Sequence, residues 1–165
     1  MGHPVLRKKA RALDRREIRT LPIQQLIDDM IETMTEYHGA GLAAPQVHVD
    51  LRVFVALSGT DDEHAAEPLV LMNPEITPLG SDIVEDWEGC LSIPDIRGIV
   101  PRAREIAVRA LDRKGERLEF RAQDFPARVI QHEYDHIEGV LFLDRMRSLE
   151  SLAFLTAASS GAPAF

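Results

Sequence analysis

The chain has 165 residues, of which 45% are hydrophobic and 28% charged, as is ordinary for one globular domain. A net charge of −8 argues against strong binding to nucleic acid or anionic membrane surfaces, and the single cysteine excludes an internal disulfide. No apolar run reaches membrane-spanning length and the N-terminus lacks a signal-peptide core, so we expect no membrane association and a cytoplasmic location.

The N-terminal part of the chain combines a polar arm with one clear amphipathic helix. Residues 2–19 are polar and irregular, and we expect a solvated arm lying on the surface. Thr20 is a plausible N-cap with Pro22 in the first turn, and apolar residues follow at helical spacing. This helix is predicted to end near Tyr37, before the chain-breaking Gly39.

The middle of the chain favours short β-strands. Alternating or continuous apolar runs predict strands at 51–57, 69–72, 76–84, 104–111 and 117–121. We expect an acidic surface loop at 58–68, and a turn at 78–81 that interrupts the weakest of these strands. The sequence Asp-Arg-Lys-Gly at 112–115 is typical of a hairpin turn.

The motif H-E-x-x-H, which runs from His132 to His136, is the strongest chemical signal in the chain. On a helix the two imidazoles leave the same face about one turn apart, which suits a single metal ion. Glu133 then lies beside the first ligand, where it can act as a general base on a water molecule. We predict that this helix begins at an N-cap Asp124 and stops at Gly139.

These elements predict an α+β fold. Antiparallel β-sheets would pack around the central H-E-x-x-H helix, with one further amphipathic helix near the N-terminus. Length favours a single domain over residues 1–165, in which 148–165 would form a short terminal helix, at 148–156, and a loose tail, at 159–165.

A third metal ligand is needed, and the sequence offers two candidates. A zinc metallopeptidase of the thermolysin type would use a downstream glutamate, and Glu150 is the available residue. Cys90 is the stronger candidate, because a thiolate binds borderline divalent metals and a His/His/Cys set leaves a fourth position open. Gly89 immediately before it permits a close approach of the backbone to a ligand.

A run of small residues at 39–46, Gly-Ala-Gly-Leu-Ala-Ala-Pro-Gln, is the third unusual stretch. Its glycines would let a substrate lie close to the backbone, and the Gln46 amide can donate to a developing oxyanion. A phosphate-binding loop is less favoured, because no Lys-Ser/Thr pair follows the glycines.

The three stretches, 39–46, 88–92 and 131–136, together resemble the motifs of peptide deformylases, in the same order and spacing. The resemblance extends over most of the chain, and the short connection to the first motif is similar to the compact type I bacterial form. It implies a metal-dependent hydrolase that removes the N-formyl group from the N-terminal methionine of newly synthesised polypeptides and releases formate.

The resemblance also implies roles for particular residues. The metal ligands would be Cys90, His132 and His136. Glu133 would be the base, with the Gln46 amide and the Leu91 backbone N–H as oxyanion donors. The residues implied in binding an extended peptide, which would add as a strand, are Ala40, Gly41, Leu42, Gly89, Arg97, Arg128 and Val129. Glu88 and Arg102 would form a pair behind the ligands that steadies the cysteine loop.

Spacing does not select the metal, since this donor set accepts zinc, iron, cobalt or nickel. The resemblance implies Fe2+, which Zn2+, Ni2+ or Co2+ can replace, and it implies N-formylmethionyl nascent peptides and transient ribosome contact as partners. Two alternatives stay open at this stage: the zinc metallopeptidase that uses Glu150, and a non-catalytic metal-binding or ribosome-associated module.

Overall fold

The computed structural model describes residues 2–57 and 68–155. The predicted acidic loop, except Pro68, and the predicted loose tail lie outside these residues. The α-helices are α1 (Arg15–Ile18), α2 (Leu21–Glu36), α3 (Asp124–Glu138) and α4 (Phe142–Arg145), and the short 3-10 helices are Pro4–Arg7, Ala44–Val47 and Leu149–Ser151. The strands are β1 (Gly41–Ala43), β2 (Val53–Ala56), β3 (Leu69–Cys90), β4 (Ile93–Leu111), β5 (Arg117–Gln123) and β6 (Ala153–Phe154).

The strands form a single antiparallel sheet in the order β1-β2-β3-β4-β5, and β6 pairs with β4. Helix α3 packs against this sheet and buries Ala127, Val129, Ile130 and Ile137 in the main core. The predicted α+β class is therefore confirmed, with the H-E-x-x-H motif on a helix held by antiparallel strands. Within the described part of the chain, no helix is both long and apolar enough to cross a membrane.

Strands β3 and β4 are far longer than the strands predicted at 69–72, 76–84 and 104–111. The turn expected at 78–81 is instead an irregularity inside β3, where the pairing with β4 shifts between Leu79 and Ile83 and Gly80 has a φ of +70°. The first part of β3 pairs with β2 and the rest with β4, so the strand continues through residues that favour a turn locally. Backbone pairing of this length outweighs the local signal of Pro78 and Gly80.

The predicted boundaries of α2 and α3 hold except at one cap. Helix α2 begins after Thr20, and α3 ends at Gly139, whose φ of +76° is the left-handed form that glycine adopts readily. Asp124 is not the N-cap of α3 but its first residue, and its carboxylate accepts a hydrogen bond from Arg104 at 3.2 Å. The N-cap is Gln123, which makes no side-chain cap hydrogen bond.

The N-terminal arm lies on the surface with most of its residues exposed, as predicted, but a few buried apolar residues anchor it. Leu6 and Ala10 are buried, and the Ala10 N–H donates to the carbonyl of Ile137 near the end of α3 at 2.9 Å. A methyl group added at Gly139 would lie 2.8 Å from the Arg7 carbonyl carbon, so the arm lies directly on the end of α3. Its apolar residues alternate with many charged ones, so the segment has a polar composition and no helical or strand periodicity that would predict their burial.

The C-terminal segment also differs from its prediction. In place of a terminal helix, residues 148–155 form one turn of 3-10 helix followed by β6; we call this segment the strap. Its Phe154 and Ala153 pair with Ile96 and Arg97 of β4. The edge of β4 offers unpaired backbone groups, and satisfying them favours a strand over an isolated short helix.

Candidate active site

A cysteine and two histidines converge where β3 meets α3. Cys90 ends β3, and His132 and His136 project from the same face of α3. Their ligand atoms all lie within 4.8 Å of one another, with Cys90 Sγ 3.3 Å from His136 Nε2. Burial lowers the pKa of His136 well below its usual range, which keeps its ring neutral, the form that binds a metal. One thiolate and two imidazoles fit a borderline divalent ion.

Glu150 does not join this cluster. It lies exposed in the 3-10 helix of the strap, and among the described residues the one group with metal-binding spacing is that of Cys90, His132 and His136. The geometry therefore gives no support to a site that uses Glu150.

Glu88 fixes the orientation of His132. The Nδ1 atom of His132 lies 2.9 Å from Glu88 Oε2, so the ring donates through Nδ1 and leaves Nε2 free to face the cluster. Arg102 donates to both oxygens of Glu88, at 2.8 and 3.0 Å. Burial alone would raise the pKa of Glu88, but the hydrogen bonds from Arg102 and His132 hold it well below its usual range.

A wider buried ion-pair network supports Glu88. Arg128 donates to Glu88 Oε1 and to the carbonyl of Val100, both at 2.8 Å. Arg102 also donates to Asp135 at 2.6 Å, and Asp135 in turn accepts from Arg145. Apart from Arg145, which is exposed, these charges are buried, and all of them are paired, as burial requires.

The Gln46 side chain is held with its amide nitrogen towards the cluster. Its Oε1 accepts a hydrogen bond of 2.7 Å from the backbone N–H of Ala43, which assigns the oxygen to that side. Its Nε2 lies 3.7 Å from Cys90 Sγ and donates to it. The amide can therefore donate to an oxygen atom that develops charge beside Cys90.

Glu133 is buried and its carboxylate is incompletely satisfied. It is 3% exposed, and its Oε2 has no hydrogen-bond partner among the described residues. A methyl group added at Gly41 would lie 2.6 Å from Glu133 Oε1, so this position must be glycine for the carboxylate to fit. Burial raises the pKa of Glu133 to about 7, which suits a general base near neutral pH.

This raised pKa predicts a pH-dependent stability in the metal-free protein. A carboxyl group whose pKa rises on folding stabilises the fold below its unfolded pKa, and that contribution is lost as pH rises through the folded pKa. A rise from 4.5 to about 7 corresponds to about 3 kcal/mol. We expect Glu133→Gln to match the wild type near about pH 4 and to be more stable by about this amount at about pH 8, measured by urea unfolding. An equal difference at both pH values would contradict the burial argument.

Most of the residues predicted to bind substrate line one cavity beside the cluster. Those that line it are Ala40, Gly41, Gln46, Glu88, Gly89, Cys90, Leu91, Arg128, Val129, His132 and Glu133. The predicted Leu42 and Arg97 do not: Leu42 is buried in a neighbouring core cluster, and the Arg97 guanidinium lies 4.7 Å from the Trp87 ring centre.

Sequence reasoning did not identify Asp135 and Arg145 as part of the site. Asp135 lies inside the H-E-x-x-H segment, next to His136. A charged residue on the buried side of a helix indicates that a residue of opposite charge is buried beside it. The sequence could not identify Arg145 as a partner of Asp135, because Arg145 lies beyond the end of α3.

Comparison with known proteins identifies similar sequences along most of the chain. The model of the family described as Polypeptide deformylase matches residues 1–152. A peptide deformylase 2 from a Nostoc species is 45% identical over 152 residues, covering 90% of this chain and 84% of that protein. A peptide deformylase from Chromohalobacter salexigens is 50% identical over 127 residues, covering 77% and 73%.

Solved structures agree with this similarity. A class I type b peptide deformylase from Acinetobacter baumannii, in a crystal structure with Met-Ala-Ser bound, superposes with a TM-score of 0.82 at 39% identity. The match covers 88% of this chain and 94% of that one. The peptide deformylase of Thermotoga maritima gives a TM-score of 0.81 at 38% identity, covering 90% and 95%.

Proposed function

Because the chain belongs to the peptide deformylase family, we propose that Cys90, His132 and His136 hold the metal on which its activity depends. The protein is a hydrolase that removes the N-formyl group from the N-terminal methionine of newly synthesised polypeptides and releases formate. The observation that carries the assignment to this site is the convergence of three metal-binding side chains beside a buried, incompletely satisfied Glu133.

We propose Fe2+ as the metal, on the family resemblance together with the donor set of one thiolate and two imidazoles. Zn2+, Ni2+ or Co2+ suits the same donors and can substitute. A bound divalent metal supplies Lewis acidity at the formyl group. The orientation of His132 by Glu88, and the neutral ring of His136, support this role for the two imidazoles.

The residues of the chain would handle the protons and the developing charge. Glu133 takes a proton from the attacking water and passes it to the departing amine, as its pKa near neutrality allows. The Gln46 amide and the Leu91 backbone N–H donate to the oxyanion; Gln46 is held for this by its bond to Ala43, and Leu91 lines the cavity.

The substrate would lie extended between the segments of Gly41 and Gly89. Strand β1 is the last strand at its end of the sheet, and the part of β3 that contains Gly89 pairs, among the described strands, with β4 alone. Both have an edge that an added strand can use. The methionine side chain would enter the cavity between Ala40, Val129 and the stem of Arg128. Leu42 would contribute its backbone in β1, because its side chain is buried elsewhere; Arg97 stays a proposed contact to the peptide backbone.

Since its substrates are nascent polypeptides, we propose that the protein acts in the cytoplasm and makes transient contact with the ribosome. The alternative metallopeptidase is not favoured, because Glu150 is not part of the group with metal-binding spacing among the described residues, and a non-catalytic module is not favoured by a family of hydrolases.

Selectivity for the acyl group tests this function. The clearance between Gly41 and Glu133 is small, so an acetyl methyl would overpack the site and move the carbonyl carbon. We expect kcat/KM for formyl-Met-Ala-Ser to exceed that for acetyl-Met-Ala-Ser by about 100-fold or more. Unformylated Met-Ala-Ser is the control, since a peptidase would cleave its peptide bonds. Similar rates for formyl and acetyl peptides would exclude a deformylase.

A further inference from the structure

The strap exposes an unusual amount of apolar surface next to the proposed site. Seven large hydrophobic side chains of the described residues are strongly exposed, and four of them lie in the strap: Leu149, Leu152, Phe154 and Leu155. Single exposed hydrophobic residues are normal, but a local concentration on a short segment often marks a binding surface.

The strap is fixed in place by hydrogen bonds to the backbone of β4. Strand β6 pairs with β4, the Ile99 N–H donates to Ser151 Oγ at 3.0 Å, and the Leu155 N–H donates to the carbonyl of Asp95 at 2.8 Å. Ile99 and Asp95 both belong to β4, which pairs with the part of β3 that contains Gly89. The Leu155 side chain therefore has a defined position relative to Gly89.

That position is directly over Gly89. A methyl group added at Gly89 would lie 4.0 Å from Leu155 Cδ1 and 3.7 Å from the Ile96 carbonyl oxygen. The backbone of Gly89 lines the cavity, but successive residues of a strand point to opposite faces, so a side chain at position 89 would point away from the side that Glu88 occupies. Trp87, two residues earlier, shares the face of Gly89.

We propose that Leu155 sets the preference for the residue that follows formylmethionine, by packing against its side chain across Gly89. This rests on the proposed function, in which the peptide adds beside the Gly89 segment with its methionine in the cavity. Alternation places the next side chain on the opposite face, which is the face of Gly89 and Leu155.

Glycine at position 89 is what allows this contact. Cβ atoms of directly opposed residues on neighbouring strands are about 4.5–5.5 Å apart. Since Gly89 has no side chain, a leucine or phenylalanine at the second position can extend across it and reach Leu155, whereas glycine or alanine is too short. The surface therefore fits a peptide with a large apolar second residue.

The test compares formyl-Met-Leu-Ser with formyl-Met-Gly-Ser in the metal-loaded enzyme. We expect the wild type to favour the leucine peptide by about fivefold to tenfold in kcat/KM, mainly through KM, as for partial burial of one apolar side chain. Leu155→Ala should reduce this preference below about twofold, chiefly by weakening the leucine peptide. Leu149→Ala is the matched control, because Leu149 is exposed on the same strap, and it should keep the wild-type preference.

Gly89→Ala provides a second variant. An alanine methyl meets only ordinary contact distances in the free protein, so the fold should tolerate it, yet it fills the path to Leu155. It should abolish the preference for leucine. Equal efficiency of the wild type on both peptides, or equal losses in Leu155→Ala, would overturn the role of Leu155 while leaving deformylation intact. Absence of formate release from either peptide would instead overturn the proposed function, and this inference with it.

Discussion

Replacing Glu133 with alanine should leave the protein folded and metal-loaded but remove most of its activity. A general base contributes about 10²- to 10⁴-fold, and Glu133 would act twice, on the water and on the leaving amine. Glu133 is buried, and its Oε2 has no partner among the described residues, so it is available to accept a proton. The neighbouring carboxylate of Glu88 cannot replace it, because Glu88 is held by Arg102, Arg128 and His132. Formate release and metal content should be measured on the same sample.

Two further variants sharpen this experiment. Glu133→Gln keeps the shape of the side chain but cannot accept a proton, so it should lose as much activity as the alanine variant. Glu119→Gln, an exposed carboxylate on β5, is the control for a lost negative charge and should retain full activity. Near-normal metal content with less than about tenfold loss in Glu133→Gln would remove Glu133 from the role of base.

Gln46→Leu should reduce kcat by about 10²- to 10³-fold with little change in KM, because an oxyanion donor acts mainly in the transition state. Leucine also leaves the Ala43 N–H without its acceptor, which could loosen the segment by itself. Gln46→Glu separates the two effects, since it keeps an acceptor for Ala43 but offers no N–H to the oxyanion.

Both variants should therefore lose kcat to a similar extent if donation by Nε2 is what matters. Thermal unfolding of each variant controls for a change in stability. A substantially active Gln46→Glu beside an inactive Gln46→Leu would show that Gln46 serves only to hold the Ala43 segment, and an effect confined to KM would show that it only positions substrate.

The parts of the structure that depend on local sequence were predictable. His132 and His136 share a face because their spacing matches a helical turn, and Gly139 stops the helix because it adopts a left-handed backbone readily. The Asp112 turn is likewise a local feature, closed by hydrogen bonds between Asp112 and residues two to four positions later.

Features that depend on partners distant in sequence were not predictable in the same way. Pro78 and Gly80 favour a turn, but β4 holds them in a strand. The strap residues are compatible with a short helix, yet the open edge of β4 makes them a strand. The placement of Cys90 beside His136 also depends on long-range packing, so the chemistry of its thiolate and the neighbouring Gly89, rather than periodicity, pointed to it.

The packing of the N-terminal arm on the end of α3 has a consequence for the order in which the protein is made. Arg7 and Ala10 precede the sheet in the chain, yet they contact Gly139 and Ile137, which follow strands β1 to β5. Cys90 likewise waits for His132 and His136. The arm can meet Asp50, Leu51 and Asn73 earlier in synthesis, but its contacts with α3 must wait until Gly139 has been translated. During synthesis, closure of the arm on α3 and assembly of the ligand cluster would therefore occur together, so a growing chain should gain activity only after the whole of α3 has been translated.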